Sequence, residues 1–240
     1  MKKTYTTLEQ DYHVALNKIR ASLGIVQKRA NFRTLPYLLE DGSARKLKPS
    51  RVWIISGISG SGKTTVSEVL NGAGFKKLPN VTTRPRRLGE KDSEYVFVDA
   101  NTFLDWRKKN MLFHPHRRNA VWHAILKKDI QKLQNERRRV YLDKSIASSL
   151  ALLNAFSRPI SITFIYLLAP SFRDLYKRIS AREIVRARRG EKALSKGEIF
   201  SRFKEEIRDM KNGTKLPYAY LVNDAPERIK KIIKNFIKTA

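Results

Sequence analysis

The segment that most constrains the fold is a glycine-rich turn between an apolar strand and a helical stretch. The apolar run Val52–Ser56 is followed at once by the pattern Gly57-x-x-x-x-Gly62-Lys63-Thr64, where helical spacing begins. Glycines allow successive backbone N–H groups to point inward, and the start of the helix adds the positive end of its dipole. A loop of this kind holds phosphate groups, so the segment predicts an α/β chain with a P-loop NTPase fold.

The motif also predicts a role for its side chains. Lys63 is expected to reach the β- and γ-phosphates of ATP, and the Thr64 hydroxyl is expected to be the protein's ligand to Mg²⁺. The other positions bring backbone and hydroxyl donors close to the phosphates, because glycine and serine add little bulk. The predicted cofactor-binding residues of this segment are Gly57, Ser59, Gly60, Ser61, Gly62, Lys63, Thr64 and Thr65.

Beyond the motif, short apolar runs alternate with helical periods, which predicts a parallel five-stranded sheet wrapped by helices. The predicted strands are Val52–Ser56, Val140–Leu142, Ile160–Leu168 and Tyr218–Val222. The predicted helices are 62–72, 145–157, 171–182, 198–211 and 226–238. Residues 80–125 break this alternation and predict a small inserted lobe, with strands near Tyr95–Val98 and Met111–His114 and a helix near 101–109.

The first fifty residues precede the motif and indicate an added element. Residues 7–30 carry apolar side chains at helical spacing, and residues 31–50 are interrupted by Pro36, Asp41-Gly42 and Pro49. We therefore expect an N-terminal helical extension and connector at 1–50, followed by the P-loop domain at 51–240.

The chain is strongly basic, with 50 Lys+Arg against 22 Asp+Glu and a formal net charge of +28. The excess is spread along the sequence, which favours DNA or RNA as a possible partner, although a lysine-rich composition without a partner fits equally well. The absence of cysteine excludes a disulfide partner. No apolar run is long enough to cross a membrane and no signal peptide is evident, so we expect no membrane association and a cytoplasmic location, in the host cytoplasm for a viral gene.

The run that follows the P-loop resembles guanylate kinase, whose pattern there is Thr-Thr-Arg-x-x-Arg-x-Gly-Glu and then a Tyr that leads a short strand. The matching residues are Thr82, Thr83, Arg84, Arg87, Gly89, Glu90, Tyr95, Phe97 and Val98, with the step from Glu90 to Tyr95 one residue shorter. The resemblance resumes at Leu175–Arg182, Arg202–Asp209 and Val222–Asp224. It covers about residues 51–240 and implies a guanylate kinase-like kinase domain, with an acceptor lobe at 80–125 and an arginine-rich lid at 183–197.

This resemblance implies an ATP-dependent kinase and assigns further roles. In the family, two arginines and a tyrosine hold the acceptor's phosphate, which points here to Arg84, Arg87 and Tyr95, and two guanidinium groups with a phenol suit that task. Asn223 is expected to frame the adenine of ATP, and Asp143 ends an apolar strand in the manner of a Walker B carboxylate. The residues expected to be catalytic are Lys63, Arg182, Arg188 and Arg202.

The guanine-reading residues of the family are not matched. Phe113 stands where the family has the Glu that accepts from guanine, Ser145 replaces an Asp, and Asn80 replaces a Ser. The family's Tyr-Gly-Ser/Thr becomes Trp122-His123-Ala124, and we expect Phe113 and Trp122 to stack on a base. The predicted acceptor-binding residues are Asn80, Arg84, Arg87, Tyr95, Phe113 and Asp143.

Together these patterns predict transfer of the γ-phosphoryl group of ATP to a phosphorylated nucleotide-type acceptor that is not simple GMP. One alternative is a kinase that acts on nucleic acid, at a modified base or a polynucleotide end, which would use the basic surface. Another is an RNA- or ribonucleoprotein-binding module without activity, against which the intact Gly62-Lys63-Thr64 counts. Three histidines, His114, His116 and His123, lie in the acceptor lobe without cysteines nearby, so no metal site is expected there.

Overall fold

A computed structural model describes residues 2–22, 50–86, 90, 94–118, 120–135, 138–155, 161–211 and 219–238. The helices in these ranges are α1 Lys2–Ser22, α2 Lys63–Gly72, α3 Ala100–Lys108, α4 Lys127–Asn135, α5 Ile146–Asn154, α6 Phe172–Arg188, α7 Lys196–Met210 and α8 Pro226–Lys238. The strands are β1 Val52–Gly57, β2 Lys76–Lys77, β3 Asn80–Thr82, β4 Tyr95–Phe97, β5 Leu112–Arg118, β6 Val121–Leu126, β7 Val140–Asp143, β8 Ile162–Leu168 and β9 Ala219–Val222.

The main sheet has five parallel strands in the order β2-β7-β1-β8-β9, which confirms the predicted α/β P-loop fold. Strand β1 lies in the centre, and Trp53, Ile54 and Ile55 are fully buried because helices cover both faces. Neighbouring parallel strands end at the same edge, so the turn after Gly57 and the end of β7 at Asp143 lie side by side. Ligands of open α/β sheets bind at this edge.

The two faces of the main sheet support separate apolar cores. On one face α2 and α8 pack against β1, with Val66, Leu70, Ile229 and Ile233 among the buried side chains. The other face carries α1, α6 and α7. Because both faces are covered by amphipathic helices, the loop at the carboxyl end of β1 projects from a rigid base.

Helix α1 is part of the second core. Its side chains at helical spacing, including Leu8, Tyr12 and Leu16, are buried with Phe172 and Phe203. The Tyr12 hydroxyl donates a hydrogen bond to the Ala169 carbonyl at 2.7 Å, at the carboxyl end of β8. The helix begins before the predicted residue 7 and is described as far as Ser22. The rest of the predicted helix and the connector to residue 49 lie outside the described residues.

A second sheet with the order β4-β3-β6-β5 forms the inserted lobe. Its apolar face packs against Phe103 of α3 around Val81, Leu112, Ala124 and Leu126. Strands β3 and β6 were not predicted, since β3 has only three residues and β6 is a mostly apolar run without a clear alternation. The strand predicted at Met111–His114 continues to Arg118, past a register shift between Phe113 and His116.

The segment predicted as the lid is shorter than expected. Helix α6 continues six residues beyond its predicted end at 182 to Arg188, and α7 begins at Lys196, so only residues 189–195 of the predicted 183–197 lie between helices. Capping explains the second boundary, because the Ser195 hydroxyl accepts from Glu198 N and the Glu198 carboxylate accepts from Ser195 N. In the described part of the chain no helix is both long and apolar enough to cross a membrane.

Candidate active site

The P-loop turn is built on backbone conformations that only glycine adopts freely. Gly57 has φ 143° and Gly62 has φ 103°. A Cβ atom on Gly57 would lie 2.6 Å from the Leu167 carbonyl oxygen, and one on Gly62 would lie 1.9 Å from Nδ2 of Asn223. Both glycines are therefore required by the close approach of neighbouring strand ends as well as by the turn itself.

The residues around this turn fit a polyphosphate. Helix α2 starts at Lys63, and Gly62 before it provides no side-chain cap, so the N–H groups of the first turn stay available to an anion. The first turn contains no acidic residue. The buried Ser61 Oγ has no hydrogen-bond partner among the described residues, and a buried hydroxyl of this kind favours a ligand that completes its bonding.

Lys63 lies over the loop that precedes it. Its ammonium group donates to the carbonyl oxygens of Gly57 at 2.7 Å and Ile58 at 3.2 Å. Burial lowers the pKa of Lys63, while the carboxylates of Asp143 and Glu206 oppose that shift. The predicted Mg²⁺ ligand Thr64 is exposed in the first turn of α2, and Thr65 is half-buried.

Asn223 and Arg178 fix the loop from the other side. Asn223 is buried at the end of β9 and donates from Nδ2 to the Ser61 carbonyl at 2.8 Å. Arg178 of α6 donates to the carbonyls of Gly60 at 3.2 Å and Asn223 at 2.8 Å. Arg178 had not been selected as a site residue, although it stands in the run Leu175–Arg182 that carries the resemblance.

A buried carboxylate that sequence reasoning missed lies beside the loop. Glu206 of α7 accepts hydrogen bonds from Ser59 N at 2.7 Å and Ser59 Oγ at 2.6 Å. It also pairs with Arg202 at 3.2 Å and with Arg118 of β5 at 3.1 Å. Burial opposes its ionisation, but Arg202, Arg118 and Lys63 together lower the pKa of Glu206. The predicted catalytic residue Arg202 is thus brought to the P-loop.

The other two arginines predicted to be catalytic lie farther along α6. Arg182 donates to Glu183 at 2.8 Å, and Arg188 is exposed in the last helical turn. Within the described ranges no hydrogen bond or ion pair joins either one to the P-loop. The buried Glu183 instead organises the segment between α6 and α7, because its carboxylate accepts from Arg182, Arg186 and the Leu194 N–H.

In the acceptor lobe, the predicted phosphate-binding side chains lie together. The Arg84 guanidinium forms a bidentate pair with Glu90, with N–O distances of 2.7 and 2.5 Å, and lies 4.7 Å from the centre of the Tyr95 ring. The Lys77 ammonium lies over the same ring at 4.4 Å. The third predicted residue, Arg87, falls outside the described residues.

Strand register decides which side chains of the lobe share a surface. Phe97 pairs with Thr82, Thr82 with His123, and His123 with His116. Residues paired across a sheet lie on one face, so these four side chains form a row. We call this row, with the side chains of Asn80, Tyr95, Phe113 and Arg118 on the same face, the acceptor face.

Trp122 is on the other side of the lobe, which corrects the expectation that it would stack on a base. It is the neighbour of His123 in β6, and neighbours in a strand point to opposite faces. Its ring stacks on Phe103 at 5.5 Å, over the apolar core between sheet and α3. Phe113, in contrast, pairs with Ile125 on the acceptor face.

The three histidines of the lobe form a row of half-buried rings that are tilted relative to one another. The ring centres of His114 and His116 are 5.0 Å apart, and those of His116 and His123 are 5.7 Å apart. Burial lowers the pKa of all three, that of His123 to about 3, and Lys144 lowers them further. The rings are therefore neutral in the physiological range, and each presents one donor and one acceptor nitrogen.

Lys144 is a second residue that sequence reasoning missed. It follows Asp143 at the end of β7, and its ammonium group donates to Oδ1 of Asn80, one of the predicted acceptor-binding residues. Burial lowers its pKa to about 7 against the opposing effect of Asp143. Ser145, which follows, caps α5 by accepting from Ser148 N at 3.2 Å. Of the described His, Asp and Glu residues, none form a group of three that could hold a metal ion.

Comparison with known proteins identifies the family. A model of the guanylate kinase family matches residues 49–239. The chain belongs to the guanylate kinase family. The guanylate kinase of Mycoplasmopsis synoviae (strain 53) is 28% identical over 202 residues, which cover 79% of this chain and 95% of that relative. The crystal structure of guanylate kinase from Anaplasma phagocytophilum superimposes with a TM-score of 0.58 at 17% identity, over 80% of this chain and 86% of that one.

Membership of the guanylate kinase family settles the coarse chemistry of this chain. It is an ATP-dependent kinase, and the family uses ATP with Mg²⁺. The resemblance inferred from Arg84, Glu90 and Tyr95 is therefore confirmed at the level of the family.

Proposed function

We propose that this kinase transfers the γ-phosphoryl group of ATP to a nucleotide-type acceptor other than GMP. The observation that carries the proposal is the composition of the acceptor face, where Phe113, His116 and His123 lie beyond the phosphate-binding pair Arg84 and Tyr95. The phosphate end of the face fits a nucleoside monophosphate. The base end does not fit guanine.

On the ATP side, the P-loop backbone and Lys63 would hold the phosphates, and Thr64 would hold Mg²⁺. The metal, when bound, supplies positive charge to the phosphate oxygens. An oxygen of the acceptor's phosphate attacks the γ-phosphorus while the bond to the β–γ bridging oxygen breaks, and ADP leaves. The protein's own contribution is to align donor and acceptor and to surround the transferring group with the cations Lys63 and Arg202.

Guanine presents N–H donors from N1 and from its exocyclic amine, and ionised carboxylates are the side chains that only accept. The described residues of the acceptor face include no carboxylate. Glu90 and Glu94, which lie near it, pair with Arg84 and with Lys77 at 3.0 Å, and Asp143 lies at the end of β7 next to Lys144. A guanine placed against Phe113, His116 and His123 would have its donors facing side chains that are not ionised acceptors, which costs a large factor in kcat/KM.

A base that exposes both a donor and an acceptor edge fits the neutral histidines better. His116 Nδ1 lies 2.9 Å from the His114 carbonyl oxygen. A carbonyl only accepts, so Nδ1 carries the proton and Nε2 is left as an acceptor. Together with His123, this gives the face aromatic surface for stacking and nitrogens for hydrogen bonding.

A panel of phosphorylated acceptors tests the proposal. Radiolabelled ATP is incubated with GMP, AMP, CMP, UMP and dTMP, with a phosphosugar, and with a 5′-phosphorylated DNA or RNA oligonucleotide. We expect at least one mononucleotide other than GMP to show a higher kcat/KM than GMP. If GMP were the best acceptor, the proposal would be wrong. Label transfer to the oligonucleotide alone would favour the nucleic-acid kinase instead.

Two variants of β6 test which face of the strand contacts the acceptor. His123→Ala should raise the KM of the preferred mononucleotide by about ten-fold, in line with the loss of a stacking and hydrogen-bonding ring, and leave the KM of ATP unchanged. Trp122→Phe, on the opposite face of the same strand, is the matched control and should change neither. Equal effects of the two substitutions would show that the lobe is merely destabilised.

A further inference from the structure

Arg118 is a charged side chain of the acceptor lobe that reaches out of the lobe. It is the last residue of β5, on the acceptor face, and its guanidinium lies 3.1 Å from Glu206 and 3.5 Å from Glu205, both on α7. Its neighbour Arg117 points to the other face and lies 5.9 Å from the Trp122 ring centre. Only one of these two adjacent arginines therefore crosses from the lobe to the P-loop side.

Glu206 connects three parts of the kinase that must come together for transfer. Its two oxygens accept from the backbone and the hydroxyl of Ser59 in the P-loop, at 2.7 and 2.6 Å. Its Oε1 also lies 3.2 Å from Nε of Arg202. The same buried carboxylate thus fixes Arg118 from the acceptor lobe and Arg202 from α7 beside one turn of the phosphate-binding loop.

The cluster gathers donors at the place where phosphate groups meet. Lys63, Arg118 and Arg202 lie within the electrostatic neighbourhood of one another, with Glu206 and Asp143 beside Lys63 and Glu205 beside Arg118. A guanidinium has five N–H donors, so Arg118 can pair with both glutamates and still donate to an anion that arrives between the P-loop and the lobe. The charge that develops on a transferring phosphoryl group is such an anion.

We propose that Arg118 is a further catalytic residue, which brings a guanidinium from the acceptor lobe to the transferring phosphoryl group, and that Glu206 is its positioning residue. As the acceptor oxygen bonds to the γ-phosphorus and the bond to the leaving ADP oxygen breaks, Arg118 donates hydrogen bonds to the equatorial oxygens and exchanges no proton. Because Arg118 belongs to the acceptor lobe, its contribution depends on the lobe's position. The inference rests on phosphoryl transfer from ATP but not on the identity of the acceptor.

The test uses a probe that needs no acceptor. ADP, Mg²⁺ and aluminium fluoride together imitate a phosphoryl group in transfer, and calorimetry measures ADP affinity with and without the fluoride. In the wild type we expect aluminium fluoride to tighten ADP binding. Arg118→Ala should reduce that tightening by at least about ten-fold, since removal of one such donor typically costs ~10² or more, while ADP affinity without fluoride stays unchanged. Glu206→Gln should reduce the tightening by a smaller factor.

Arg117→Ala is the matched control, because it removes the same charge from the adjacent position on the opposite face, and it should retain full tightening. Unchanged tightening in Arg118→Ala would overturn the role of Arg118 alone. A wild type that ignores aluminium fluoride would also overturn the inference, since Arg118 lies beside the P-loop in the structure and needs no acceptor to reach it. Arg118→Lys, which keeps the charge but lacks the planar fork, should show partial tightening. If neither Arg118 variant folds by thermal melting, the residue is structural and the inference is wrong.

Discussion

The phosphate-binding loop and the acceptor face, to which we assign the two substrates, are built from different parts of the chain. The loop presents backbone N–H groups from a turn whose shape depends on Gly57 and Gly62. The acceptor face presents side chains, such as Tyr95 and His123, brought together by strand pairing. A backbone site can hardly vary without losing its shape. In a site made of side chains, a single substitution can change which ligand is preferred.

Under the proposed function, the protein keeps the nucleotide-binding half of the guanylate kinase family while its acceptor half departs from it, as this difference allows. His116 and His123 can replace other side chains without disturbing the apolar core of the lobe, which lies on the opposite face of the sheet, whereas Phe113 also packs against the main core. Specificity for the acceptor is thus separable from phosphate chemistry. The predictions below test that separation.

The largest effect is expected for Lys63→Ala. Its ammonium group lies at the centre of the cation cluster, so its loss should lower kcat by at least about 10², equivalent to roughly 3 kcal/mol of transition-state stabilisation. The melting temperature should fall little, because burial already opposes the charge and lowers the pKa of Lys63. Steady-state kinetics with the best mononucleotide and a thermal melt measure both quantities. Wild-type turnover in the variant would refute the assignment of Lys63.

The P-loop side was largely predictable from sequence, because a short run of glycines determines the local backbone whatever surrounds it. The acceptor side was not. Phe113 and Asn80 were assigned through the resemblance alone, and strands β3 and β6 were missed, so the row through Thr82 and His123 had no basis in the sequence pattern.

Residues far apart in the chain were the hardest to predict. Arg118, Lys144 and Glu206 reach their partners only through the packing of separate elements. The spacing of Arg202 and Glu206 on one helix was the only local signal, since side chains four residues apart meet on a helix surface. That spacing predicts an ion pair. It does not predict the contact with Ser59.

Arg84→Ala should raise the KM of the acceptor and leave the KM of ATP unchanged. A hydrogen bond from a charged guanidinium to a phosphate contributes about 1.5–3 kcal/mol, so we expect the acceptor KM to rise by about ten-fold or more, with the ATP KM unchanged. Arg107→Ala is the control from the same lobe, because its guanidinium lies 5.4 Å from the centre of the Trp122 ring, on the opposite face of the sheet. An equal rise in both KM values would show that the two sites are coupled more strongly than the comparison implies.

Lys144 makes the stability of the protein depend on pH in an unusual direction. Burial lowers its pKa to about 7 in the folded protein, from an ordinary value of 10.5 for an exposed lysine. Between these two values the unfolded chain binds the extra proton, so the free energy of unfolding should rise with pH, by at most about 1.4 kcal/mol per unit. This contribution is fully present above the unfolded pKa and is lost as pH falls through the folded one.

Lys144→Met removes the titrating group, so a comparison of variant and wild type isolates its contribution to stability. The wild type should gain stability as pH rises from 7 towards 10, and the variant should not gain this part. We therefore expect the unfolding free energy of the variant minus that of the wild type to fall over this range, measured by urea denaturation at several pH values. A difference that stays constant across this range would show that Lys144 is charged in the folded state. Its ammonium group would then be more accessible to water than its burial indicates.

The smallest effect is expected for Tyr12→Phe, which tests whether the N-terminal helix is an independent extension or a part of the kinase. The Tyr12 hydroxyl bonds to the Ala169 carbonyl, and its ring is buried beside Phe172 at 6.3 Å. Loss of the hydroxyl leaves the ring in place and one buried carbonyl without this donor, so unfolding should become easier by about 1–2 kcal/mol. His13→Ala, an exposed position one residue along α1, is the control and should cost less than about 0.5 kcal/mol. A single unfolding transition shifted in Tyr12→Phe would mean that α1 melts with the P-loop core. An unchanged midpoint would mean that α1 detaches first, and that both phosphate-binding regions fold without it.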